Sequence, residues 1–122
     1  MDSEVDLYLT RAEDEFLLAE NDMKSSVDLR IKEILGVQKD KTFFHSVIAH
    51  AYYSIFNCAK AYLLSKGIKT SSPEEHKKTY EEFAKFVGMG VLEGELLDIY
   101  ENAATEAETM LNIFFLGKRN RG

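Results

Sequence analysis

Residues 42–67 read TFFHSVIAHAYYSIFNCAKAYLLSKG, the most apolar and uniform stretch of the chain. Apolar side chains recur at Phe44, Ile48, Ala51, Ile55, Cys58 and Tyr62, which is helical spacing. A second set, Phe43, Val47, Phe56, Ala59 and Leu63, widens the stripe until little of the circumference stays polar. A helix of that kind has to be covered on several sides, so it is expected at the centre of the fold. Thr42 is suited to cap its start, and Gly67 to close its end in the left-handed conformation.

The flanking sequence supplies the cover. Val5, Tyr8, Ala12, Phe16, Ala19 and Met23 repeat at intervals of three and four and predict a first helix that opens at Ser3 and Asp6. Beyond Lys24-Ser25-Ser26 the pattern restarts with Val27, Ile31 and Ile34 and stops at Gly36, which predicts a second, short helix. Ser72-Pro73-Glu74-Glu75 has the form of a capping box with proline at the first helical position, and the helix it opens is expected to run from Pro73 to about Val87. The last helix is expected from about Glu95 to Leu116, with Leu96, Tyr100, Ala103, Ala107, Leu111 and Phe114 on one face. No strand alternation or internal repeat appears. The chain is therefore read as a single all-α domain over 1–122, an antiparallel bundle of four to five helices.

At 122 residues, with 45% hydrophobic and 30% charged residues, the chain has room for one core and no composition of disorder. The N-terminal MDSEVD lacks the pattern of an export signal, and His50, Ser54, Asn57 and Lys60 interrupt the one long apolar run. A cytoplasmic protein without a membrane span is the expectation. Cys58, the single cysteine, has no internal partner and reads as a small core residue. Net charge is −6, divided as −6 over residues 1–40, +3 over 41–90 and −3 over 91–122. An acidic chain is a poor non-specific ligand for nucleic acid, so RNA contact falls to the basic middle or to Lys118-Arg119-Asn120-Arg121.

A polar line crosses the central helix at Ser46, His50, Tyr53, Ser54, Asn57 and Lys60. At 100° per residue, His50, Ser54 and Asn57 fall within about 40° of one direction. Two readings stay open for it. One is a nucleotide or RNA site, with imidazole and amide as hydrogen-bonding groups, Tyr53 as a stacking surface and Lys60 for phosphate. The other is a buried polar seam bonded to neighbouring helices. No acidic group that would orient a His50–Ser54 pair is identifiable. His45, His50 and His76 have no metal-site spacing, and neither a metal nor a cofactor is implied.

The run HAYYSIFNCAKAYLLSKGIKT followed by SSPEEHKKTYEEF resembles the signature of HEPN domains (higher eukaryotes and prokaryotes nucleotide-binding), and in particular an archaeal branch of that family. The likeness spans roughly Tyr8 to Gly122. It implies a helical homodimer that partners a minimal nucleotidyltransferase in a prokaryotic toxin-antitoxin-like system, with nucleotide or RNA as a further partner. Catalytic members of the family are metal-independent ribonucleases with an arginine followed four to six residues later by histidine. No such pair exists here: Arg11 and Arg30 have no histidine at that distance. The alternatives are a ribonuclease that sets Arg119 or Arg121 beside His50 or His45 across a dimer interface, and a non-catalytic nucleotide-binding or structural module. In the archaeal branch the segment like Lys118–Gly122 leads into an aromatic stretch and a further helix, which this sequence does not contain. Phe43-Phe44 and Phe114-Phe115-Leu116 are expected either to cap the core or to form a patch that seals the dimer.

Overall fold

The computed structural model describes residues 3–111 as five helices: α1 (Ser3–Val27), α2 (Leu29–Leu35), α3 (Phe44–Ser65), α4 (Glu75–Gly88) and α5 (Gly94–Leu111). The expected all-α bundle forms, with α3 as its axis. Phe114, Phe115, Leu116, Arg119 and Arg121 lie outside the described residues.

α1 runs antiparallel to α3. Ser26 meets Phe43, Glu15 meets His50, Ala12 meets Ser54 and Tyr8 lies beneath Lys60, in opposite chain order. Val5, Ala12, Ala19 and Ser26 are buried at every seventh position, with Tyr8, Glu15 and Asp22 half-buried between them. This is the alternating three-and-four spacing of a coiled-coil seam, and its small residues let the two helices approach closely. The expected inward face included Phe16 and Met23, and both are instead exposed, Phe16 by 55%. Glu15 and Asp22 take the inward positions because His50 lies opposite them, which turns their apolar neighbours about 100° away.

The break after α1 falls at Asp28, whose carboxylate accepts from the backbone N–H groups of Arg30 and Ile31. Gly36, at φ 74°, closes α2 as expected. Thr42 does not cap α3. The Ser26 hydroxyl, 17 residues earlier, accepts from the Phe43 N–H at 2.7 Å and ties the start of α3 to the end of α1. The intervening connection is held by Lys32, 2% exposed, whose ammonium donates to the carbonyls of Gln38 and Lys41.

On the other side of α3, Tyr52, Phe56 and Ala59 pack with Tyr100, Ala104 and Ala107 of α5, and Tyr80 and Phe83 of α4 close over them. Ala104 and Ala107 are fully buried, so the α5 backbone sits close to the α3 rings. Each buried ring removes about 150 to 250 Å² from water, and these rings carry most of the core. α4 starts at Glu75 and not at Pro73; Glu74 precedes it in the left-handed region (φ 59°), the Ser72–Pro73 bond is cis, and no side chain caps the helix. Glu75 does not reach back to close a capping box, because Lys60 of α3 binds its carboxylate.

Candidate functional site

The polar line of α3 faces α1 and the loop before α4. His50 is clamped between two carboxylates of α1: its Nδ1 donates to Glu15 at 2.6 Å, and its Nε2 lies 3.8 Å from Asp22. Glu15 and Asp22 are seven residues apart on the seam, so one ring reaches both. The acidic orienter not identifiable from sequence is thus Glu15, 35 residues away from His50 on another helix. A signal for it existed in the seven-residue interval of Tyr8, Glu15 and Asp22, which alternates with that of Val5, Ala12, Ala19 and Ser26.

The Ser54 hydroxyl donates to the Ala12 carbonyl at 2.8 Å, and Asn57 Nδ2 donates to the Tyr53 carbonyl at 2.8 Å. Ser54 is therefore bonded away from His50, and the two do not form a nucleophile–base pair. Tyr53 is half-buried against Tyr52 and His76 edge to face. Burial, with the Glu15 charge second, raises its phenol above the usual range, so it stands as a hydrogen-bond donor.

Lys60 is 3% exposed. Its ammonium donates to the Thr70 carbonyl and to Glu75 at 2.6 Å, and lies 5.1 Å from the centre of the Tyr8 ring. Below it, the Thr70 hydroxyl donates to that of Thr79 at 2.6 Å, and Thr79 donates to the Glu75 carbonyl. The network joins α3, the 66–74 loop and α4. His76 stacks on Phe56 with ring centres 4.1 Å apart, and its Nδ1 is 2.9 Å from the Tyr52 hydroxyl. Desolvation lowers the His76 pKa and raises that of Tyr52, so a neutral ring and a protonated phenol share this hydrogen bond.

His50, Tyr53, Ser54, Asn57 and Lys60 thus lie along one side of α3, as the spacing predicts; His50, Ser54, Asn57 and Lys60 each make a side-chain hydrogen bond within the protein, and the Tyr53 ring packs on Tyr52 and His76. Arg119 and Arg121 lie outside the described residues. No group of three or more His, Cys, Asp or Glu among the described residues is arranged to hold a metal ion. No described helix is long and apolar enough to cross a membrane.

A different feature is open. α1 and α5 both pack on α3 and, among the described residues, no Cα atom of one lies within 8 Å of a Cα atom of the other. Two apolar hollows lie in the trough between them. One, of about 560 Å³, lies among Leu9, Phe16 and Leu17 of α1; the other, of about 330 Å³, lies among Tyr62, Leu92, Leu96 and Ile99. They share Ser54 and Cys58. Cys58, expected in the core, is exposed there, since the buried arc of α3 is centred on Tyr52, Phe56 and Ala59. Desolvation raises its thiol pKa, which suits an unreactive wall residue.

Comparison with known proteins returns nothing that matches this chain among protein-family models, curated proteins or solved structures.

Proposed function

We propose that this chain is a HEPN-type helical module that works by binding protein: a homodimer that partners a minimal nucleotidyltransferase in a prokaryotic toxin-antitoxin-like system. One observation carries the reading. The side chains of His50, Ser54, Asn57 and Lys60, which a nucleotide or RNA would need, make hydrogen bonds within the protein, whereas apolar side chains between α1 and α5 are left open. Open apolar surface of this kind marks association with protein. A second apolar surface, at the corner where Ser26 bonds to Phe43, carries Val27, Leu29, Ile34, Leu35 and Phe44, all exposed. This reading assigns that corner to the second copy of the chain.

The test is co-expression with a minimal nucleotidyltransferase encoded beside it, followed by purification and mass measurement. The expected result is a stable complex built on a dimer of this chain. A monomer at micromolar concentration that captures no such enzyme ends the proposal.

A ribonuclease is the second reading, favoured by the Glu15–His50 pair, which has the geometry of an oriented general base. Against it, Glu15 and Asp22 place negative charge where a phosphodiester would approach. RNA cleavage that survives a chelator and disappears in His50→Ala is the result that would establish it.

A further inference from the structure

One flank of α1, about 40° round the helix from the buried seam, repeats the seven-residue interval of that seam. Leu9, Phe16 and Met23 stand seven residues apart, all exposed, with Glu13 and Glu20 interleaved at the same interval. Such a repeat is the seam that a helix presents to another helix. Across the trough, Leu96 and Ile99 of α5 are also exposed, Ile99 by 50%. Helices pack at about 8 to 10 Å between axes, and two helices that flank a third without close backbone approach leave a trough about one helix wide above it.

Charge selects what fits. Glu13 and Glu20 border the α1 hollow, and no lysine or arginine lines either hollow. Apposing the same face of a second copy would bring these glutamates together without a counter-charge, which is unfavourable. A helix with cations along its flank meets them favourably, while its aliphatic face covers Leu9, Phe16, Leu96 and Ile99.

We infer that the trough between α1 and α5 receives an amphipathic helix of a partner protein. That helix carries an aliphatic face and Lys or Arg residues seven apart on the flank that meets Glu13 and Glu20. The inference rests on the reading of this chain as a protein-binding module, and names the surface and the chemistry of the partner.

The probe is a labelled synthetic helix of about 18 residues, roughly five turns, with leucine along one face and lysine on the flank. A control carries glutamate in place of lysine. Fluorescence anisotropy with the intact protein is expected to show the lysine peptide binding roughly tenfold or more tightly at low salt, with the difference shrinking as salt rises. The double variant Glu13→Lys, Glu20→Lys should reverse the preference. Phe16→Asp should abolish binding of both peptides while the dimer mass and melting temperature stay as in the wild type. Equal binding of the two peptides, or binding indifferent to Phe16→Asp, overturns the inference. So does a Phe16→Asp protein that becomes monomeric, since the trough would then be the surface between copies. Failure of the wild type to capture the nucleotidyltransferase ends the proposed function and leaves the peptide result standing. A complex that survives Phe16→Asp, with peptides that do not discriminate, ends only the trough assignment.

Discussion

The Lys60 ammonium lies 2.6 Å from the Glu75 carboxylate, and the two partners are unequally buried: 4% of the lysine side chain is exposed against 33% of the glutamate. Removing one partner therefore differs from removing the other. In Lys60→Met the glutamate turns to water and the apolar chain keeps the packing, for a loss of about 1 to 2 kcal/mol. In Glu75→Leu the ammonium stays buried with only the Thr70 carbonyl and the Tyr8 face, for a loss of about 3 kcal/mol. Urea unfolding should rank Glu75→Leu as the less stable of the two, and the opposite order would refute this account of the network.

Stability should fall below neutral pH through His76. Its folded pKa is lowered, chiefly by desolvation and further by Lys60, with Glu75 opposing. The unfolded chain then takes up a proton first as pH drops below about 6.5. The stability of the neutral ring is complete above that value and is lost as pH falls from there through the folded pKa. Thermal melts between pH 7.5 and 5 should show a steeper decline for the wild type than for His76→Gln, which keeps a hydrogen-bonding group for Tyr52 without a titrating ring. Parallel curves would exclude His76 as the cause.

Ala104 is fully buried beneath the α3 rings, whereas Phe16 stands in the open trough. Ala104→Leu should lower stability by about 1 to 3 kcal/mol through overpacking. Phe16→Gln should change it by no more than about 0.5 kcal/mol. Guanidinium titrations of both variants give the comparison, and a large loss at Phe16 would mean that the trough is closed in the native protein.

Gly67 closes α3 at φ 79°, and a Cβ built there would meet no atom within 4 Å. Gly67→Ala should therefore cost about 1 kcal/mol from backbone conformation alone, and no more, because nothing has to move aside. Calorimetry on the variant checks it, and a loss several times larger would point to a contact that the geometry does not show.

The central helix, its glycine stop, the short α2 and the inward Tyr100 and Ala107 of α5 were legible in the sequence, because each follows from local spacing and backbone chemistry, whereas Leu96, expected on the same face, is exposed. The line His50, Ser54, Asn57, Lys60 was legible as a line, since a helix fixes which residues share a side. What the line bonds to was not. The choice between a ligand site and an internal seam depended on Glu15, Asp22, the Ala12 carbonyl, Thr70 and Glu75, most of them distant in sequence from the groups they serve.

The sequence by itself determined that the chain is helical and which helix is central, since apolar periodicity and Schellman-type stops act over one or two turns. Only the tertiary structure decided that Ser26 and not Thr42 secures the start of α3, that Glu75 leaves its capping role for Lys60, and that Phe16 and Cys58 face an open trough. The reason is that a buried polar group takes whatever partner lies nearest in space, and nearness between helices is set by how their surfaces fit together.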